Sequence, residues 1–143
     1  MIDLYHCRSV LEGLAVRQAV DHIAKEDIEQ LEESIYLSNF YYKKGDIENT
    51  VKKTTFFHEK LTELSHNRSL ITMMETVRTQ MLRYRILTGK SVGFRLTAIE
   101  EHMSILNAVI QKLPDKAEAL MKQHILDDLE NYLQGINSKF LND

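Results

Sequence analysis

Three histidines are the residues of this chain whose types and spacing are best suited to chemistry. His58, His102 and His124 each fall on the apolar stripe of a different predicted helix. A neutral imidazole presents one ring nitrogen as a lone-pair donor, so three converging imidazoles suit zinc, nickel, cobalt or iron. The sequence therefore predicts a metal site wherever these helices bring the three rings together.

Two other interpretations of the histidines stay open at this point. A histidine on an apolar face is often a core residue that is hydrogen-bonded to a neighbour, which would make the chain a helical interaction module without a ligand. A three-histidine metal also activates water in small metalloenzymes, but such an enzyme needs a base. Helical phase points the nearest acids mostly outward, and these are Glu100, Glu101, Asp127 and Asp128.

Composition limits the remaining function classes. The 143 residues match one domain, and 43% hydrophobic content with one proline and five glycines favours long helices. A net charge of −3 makes the chain by itself a poor nucleic-acid binder. The single cysteine, Cys7, excludes an intramolecular disulfide and fits a reducing, cytoplasmic setting. We find no targeting signal and no apolar run near the roughly 18 residues of a membrane span.

Hydrophobic periodicity and turn residues predict six helices. Asp46 is the expected cap of the third helix after a turn at Gly45, and Asp115 with Glu118 resembles a capping box for the sixth. Short connections imply that successive helices pack antiparallel, as one all-α domain over residues 1–143. The approximate helices are Leu4–Ile23, Glu26–Tyr42, Ile47 to the break at Ser65-His66-Asn67, Leu70 to Thr88-Gly89, Ser91–Leu113, and Asp115 onward.

Several short segments, taken in order, form a recognisable pattern over nearly the whole chain. They are Leu4-Tyr-His-Cys-Arg8-Ser-Val-Leu-Glu12, Phe57-His58 followed by Ser65-His-Asn67, and Glu101-His102-Met-Ser-Ile105 followed by Met121-Lys-Gln-His124. The set resembles the FadR C-terminal (FCD) effector-binding domain of GntR-family transcription regulators. The histidine separations of 44 and 22 residues are those that the family's metal site would show.

The resemblance implies a bundle of six or seven antiparallel helices around a central ligand cavity. Many members of the family hold a divalent metal there, with an aspartate one turn before the first of three histidines. These positions map onto Thr54, His58, His102 and His124, so a threonine stands where the aspartate is expected. The implied metal, zinc or nickel, would then have three histidine ligands completed by water or an effector carboxylate, and Thr54 can hydrogen-bond such a water.

The resemblance also implies partners. The family dimerises and binds a small effector, usually an organic acid, without acting as an enzyme. Arg8 can bind a carboxylate in a bidentate manner. The alternative is that Arg8 forms an ion pair with Glu12, which we take to be a surface acid. Arg78 is a further effector-binding candidate beside Thr54. The winged helix-turn-helix domain that precedes this domain in the family is expected to be absent from the chain, so DNA would be reached only through a separate domain.

One more departure from the family pattern concerns the break between the third and fourth helices. His66 stands where the family's triplet usually has glycine between serine and asparagine. We expect this replacement to alter only a turn.

Overall fold

The structure, a computed structural model of the chain, describes residues 1–88 and 94–140, apart from the side chains of residues 84–88 and 138–140. These ranges contain helices and no strand, so the predicted all-α class with six helices is confirmed. The predicted start of the fifth helix at Ser91 lies outside the described residues, but residues 94–96 are not helical, so the predicted helix starts too early. The helices are α1 Ile2–Ala19, α2 Lys25–Lys43, α3 Ile47–Leu64, α4 Arg68–Thr88, α5 Thr97–Ile110 and α6 Pro114–Phe140.

The first helix organises the bundle. It has its largest contact with α6 and also packs against α3, α4 and α5. Gly13 permits the close approach to α6, because a Cβ atom at that position would lie 2.9 Å from Cγ of Lys122. Apolar side chains from α1, α3, α5 and α6 fill the space between these helices, including Val16, Phe57, Leu61, Ile105, Leu106, Met121 and Ile125.

The described helices do not meet the requirements of a membrane span. None of them combines the length with the apolar composition that crossing a bilayer requires.

The connection from α2 to α3 has the turn chemistry that the sequence predicts. Gly45 adopts a φ of +75°, and the amides of Gly45 and Asp46 donate to the carbonyls of Tyr42 and Tyr41 at 3.0 Å each. This pair of bonds is a Schellman motif, in which the left-handed residue is commonly glycine. Asp46 then caps α3, because its Oδ1 accepts from the backbone N–H of Asn49 at 3.1 Å.

We expect Gly45→Ala to lower the free energy of unfolding by about 1 kcal/mol, because a Cβ atom is strained at positive φ. Nothing lies within 4 Å of the added atom, so the cost is conformational only. Gly135→Ala, inside α6, adds a Cβ atom that likewise meets nothing within 4 Å, and should raise the free energy of unfolding by about 0.5–1 kcal/mol. Urea titrations of both variants measure the difference, and equal effects would contradict the assignment of the turn.

The start of α6 differs from the sequence prediction. The helix begins at Pro114, one residue before Asp115, so the predicted capping box is wrong. Proline suits the first helical position, since its fixed φ is helical and its missing N–H would have no partner there. Asp115 and Glu118 instead both accept hydrogen bonds from Arg17 of α1. The two acids therefore join α6 to α1.

The turn between α3 and α4 contains a histidine in a conformation that favours glycine. His66 has a φ of +53° and its ring stacks on His22, with 4.1 Å between ring centroids. The positive φ accounts for a preference for glycine at this place, and the expectation that histidine alters only the turn stays a prediction.

Candidate metal centre

The three histidines meet in the interior of the bundle. His58 comes from α3, His102 from α5 and His124 from α6, and all three are buried. The Nε2 atom of His102 lies 3.0 Å from Nε2 of His58 and 3.0 Å from Nε2 of His124. The Nε2 atoms of His58 and His124 lie 3.3 Å apart. The apolar stripes thus bring the rings to one point, as the sequence predicts.

This geometry fits a metal ion. Nitrogen ligands 2.0–2.1 Å from zinc at tetrahedral angles stand about 3.3 Å from one another, close to the observed 3.0–3.3 Å. The ligand atoms of these three residues form the group suited to metal binding among the described residues. The donor set and spacing therefore match, and the role of the three histidines as ligands stays a prediction.

A buried ion pair orients the first ring. His58 donates from Nδ1 to Oε1 of Glu12 at 2.8 Å, and Oε2 of Glu12 accepts from Nε of Arg8 at 2.7 Å. Burial raises the pKa of Glu12, but Arg8 and His58 outweigh burial and hold it well below its ordinary value. Because Nδ1 carries the hydrogen, the lone pair of His58 Nε2 points to the centre.

The second ring is oriented in the same way from the opposite side. His124 donates from Nδ1 to Oε1 of Glu101 at 2.7 Å, and Arg95 binds both oxygens of Glu101 at 2.8 and 2.7 Å. Burial raises the pKa of Glu101, but hydrogen bonds from His124 and Arg95 bring it to about 2. Arg95 also donates from Nε to Oδ1 of Asp128 at 2.8 Å. One guanidinium therefore positions two carboxylates beside the ring.

The third ring is held by packing. His102 stacks on Phe57, with 4.4 Å between centroids and 19° between planes. Its Nδ1 is buried without a hydrogen-bond partner among the described residues. Burial lowers the pKa of both His102 and His58, so these rings are neutral near pH 7. A neutral imidazole is the form that binds metal.

A cavity of about 380 Å³ opens beside the three rings. Its wall includes all three residues that the sequence analysis assigned to the effector, Arg8, Thr54 and Arg78. Arg78 donates to the hydroxyl of Thr62 at 3.1 Å, while Thr54 donates to its own helix at the carbonyl of Val51, 3.0 Å away. The three residues are thus correctly placed, and their effector-binding role stays a prediction.

The acids around the histidines are the part of the site that sequence reasoning misplaced. Glu12 is not a surface acid but is only 2% exposed, although its ion pair with Arg8 forms as the spacing allows. Glu101 and Asp128 do not point outward, since they contact His124 and Arg95. Arg95 was not singled out at all. A signal existed for Glu12, which lies on the buried stripe Tyr5, Ser9, Glu12, Val16 and Ala19.

The fold and the site define a helical bundle with a buried histidine cluster next to a cavity that has both polar and apolar walls. The sequence model of the family described as FCD domain matches residues 3–127. The chain therefore belongs to the FCD domain family, as the ordered motifs indicated.

Known proteins agree with this assignment. The chain is 30% identical over 125 residues to the uncharacterized HTH-type transcriptional regulator YdhC of Bacillus subtilis (strain 168). That match covers 87% of the chain and 54% of YdhC, so the chain spans about half the length of this curated relative. The structure of E. coli McbR/YncC superposes with a TM-score of 0.79 at 21% identity, covering 93% of this chain and 67% of that one. The second likeness supports the fold.

Proposed function

We propose that the chain is the ligand-sensing and dimerisation domain of a bacterial GntR-family transcription regulator of the FadR subfamily. In this proposal it binds a small organic acid together with a divalent metal and performs no catalysis. Membership of the FCD domain family and the likeness to an HTH-type regulator support the regulatory role. The observation that carries the proposal is the convergence of three Nε2 atoms within 3.3 Å beside a cavity.

His58, His102 and His124 would hold the metal, for which zinc and nickel suit the all-nitrogen donor set. When bound, the ion supplies positive charge and an open coordination position for a carboxylate. Glu12 and Glu101 behind the rings fix which nitrogen faces the centre, which is the usual task of outer carboxylates in metal sites.

The wall of the cavity has the mixed character that a small organic acid requires. Its volume of about 380 Å³ lies within the usual range for small-molecule sites. Arg8 and Arg78 offer guanidinium donors to a carboxylate, while Val51, Met81 and Leu82 offer apolar contacts to a carbon skeleton. The hydroxyl of Thr54 completes the polar side.

Regulation would need two conformations of a homodimer that bind the effector with different affinities. The response would reach DNA through a winged helix-turn-helix domain that is not part of residues 1–143. A net charge of −3 agrees with a domain that does not itself bind nucleic acid.

Calorimetric titration with a panel of small organic acids tests the proposal. We expect at least one acid to bind, and to bind about tenfold or more tightly to zinc-loaded than to metal-stripped protein, since the ion provides a direct contact. Arg78→Ala should weaken the acid about tenfold and leave zinc affinity unchanged.

Arg83→Ala is the matched control, because Arg83 lies on the same helix but is exposed and outside the cavity wall. Indifference to both metals and acids would reject the proposal. Steady turnover of a substrate that stops on chelation would replace it with the metalloenzyme alternative.

A further inference from the structure

We infer that Asp128 supplies the carboxylate ligand that the chain lacks at Thr54, an inference that rests on the proposed metal centre. Asp128 lies one helical turn after His124 on α6 and lines the cavity. Its Oδ2 is 3.8 Å from Nε2 of His124. The carboxylate therefore stands on the cavity side of the histidine cluster.

Thr54 provides no negatively charged ligand to a metal. Its hydroxyl donates to the carbonyl of Val51 at 3.0 Å, so its hydrogen is directed along α3. Three neutral imidazoles bring no negative charge to a divalent ion. A carboxylate from α6 would add a fourth protein ligand and offset half of the ionic charge, and the effector carboxylate would then bind as a fifth ligand.

The acidic residues around the site lie at different positions. Among the described residues, only one of these acids is placed to act as a metal ligand. Glu12 and Glu101 bind the Nδ1 atoms on the far edges of their rings, away from the converging Nε2 atoms. Glu59, which also lines the cavity, is half exposed and 4.0 Å from Arg78. Asp128, with a side chain 23% exposed, lies beside a converging nitrogen.

Arg95 binds one oxygen of Asp128 and leaves the other oxygen available to a metal. In the described part of the chain, both short contacts from the Arg95 guanidinium reach Oδ1, at 2.8 Å each. The other oxygen, Oδ2, is the one nearer to His124. Ligand atoms at tetrahedral angles around zinc are about 3.3 Å apart, so Oδ2 must move at least about half an ångström toward His124 Nε2, by a rotation of the side chain that also brings it toward the other two rings. Arg95 thereby acts as a positioning residue for a one-oxygen ligand.

Metal binding to Asp128→Asn tests this inference, with Asp127→Asn as the matched control. Asp127 is the preceding residue on α6 and pairs with Gln123 at the surface. We expect zinc affinity, measured by competition with a chromophoric chelator, to fall tenfold or more in Asp128→Asn and to stay unchanged in the control. Adding Thr54→Asp to Asp128→Asn should restore most of the affinity.

The absorption spectrum of the cobalt-substituted protein separates ligation from a charge effect. We expect the visible bands of Asp128→Asn to differ in position or intensity from wild type, because one oxygen ligand has changed. A weaker affinity with an unchanged spectrum would make Asp128 a distant charge and overturn the inference, as would an unchanged affinity. Thermal melting of each metal-free variant checks that it folds.

Failure of this inference is distinguishable from failure of the proposed function. If wild-type protein binds zinc through the histidines and Asp128→Asn matches it in affinity and spectrum, only the inference is lost. If wild-type protein binds no zinc, cobalt or nickel, the proposed metal centre and the inference are both lost.

Discussion

Glu12→Ala is expected to lower the free energy of unfolding by about 3–5 kcal/mol, the usual cost of removing one partner from a buried ion pair. Glu12 is 2% exposed and pairs with Arg8, whose side chain is 15% exposed. Without the carboxylate, the largely buried guanidinium loses its nearest counter-charge, and Nδ1 of His58 loses its acceptor. Urea denaturation of the metal-free protein measures the change.

Two controls show whether the loss of stability in Glu12→Ala comes from the ion pair with Arg8. Glu33→Ala, on the exposed face of α2, should change the free energy by less than about 0.5 kcal/mol. Arg8→Ala combined with Glu12→Ala should cost clearly less than the sum of the two single changes, because the pair is removed together. A loss below about 1 kcal/mol for Glu12→Ala would show that the interior tolerates the unpaired arginine.

His102→Gln is expected to weaken zinc binding by about 100- to 1,000-fold. Structural zinc sites with four ligands bind with about 10–16 kcal/mol, which is about 2.5–4 kcal/mol for each ligand. His102 is the ring whose Nε2 lies 3.0 Å from both of the others, so its loss leaves two nitrogens that are 3.3 Å apart. Glutamine fills part of the space that alanine would leave empty.

Ligand-induced stabilisation gives a second measure of the same change. Zinc at 100 times its dissociation constant should stabilise the wild-type protein by about 2.7 kcal/mol. At the same zinc concentration we expect little or none of this stabilisation in His102→Gln. His6→Ala, at an exposed position of α1, should keep the full effect. Equal zinc stabilisation of His102→Gln and wild type would contradict the metal centre.

The sequence predicts the histidine cluster well because helical periodicity is enough to place a residue on a buried stripe. His58, His102 and His124 share the stripes of Leu61, Leu106 and Ile125, and burying those stripes against one another brings the rings together. The turn at Gly45 is also predicted, since positive φ and a cap at Asp46 depend on local chemistry.

The acids could not be predicted from the same pattern. Periodicity treats a carboxylate as a surface group, whereas Glu12 is buried because Arg8 and His58 supply both a counter-charge and a hydrogen. Arg95 acts on Glu101 and on Asp128, which lies 33 residues away, so its role depends on how α5 packs against α6. Such long-range pairing is set by tertiary packing, to which a single sequence gives no direct access.

The stacking of His102 on Phe57, with no acceptor at Nδ1 among the described residues, has a consequence for how a cation enters. In the described part of the chain no acceptor holds a hydrogen on Nδ1 of this ring, unlike the rings of its two neighbours. In a metal-free site its hydrogen can reside on Nε2 and bridge toward His58 or His124, and metal uptake would shift that hydrogen to Nδ1. Because the ring is neutral in both forms, the exchange at His102 need release no proton to the solvent.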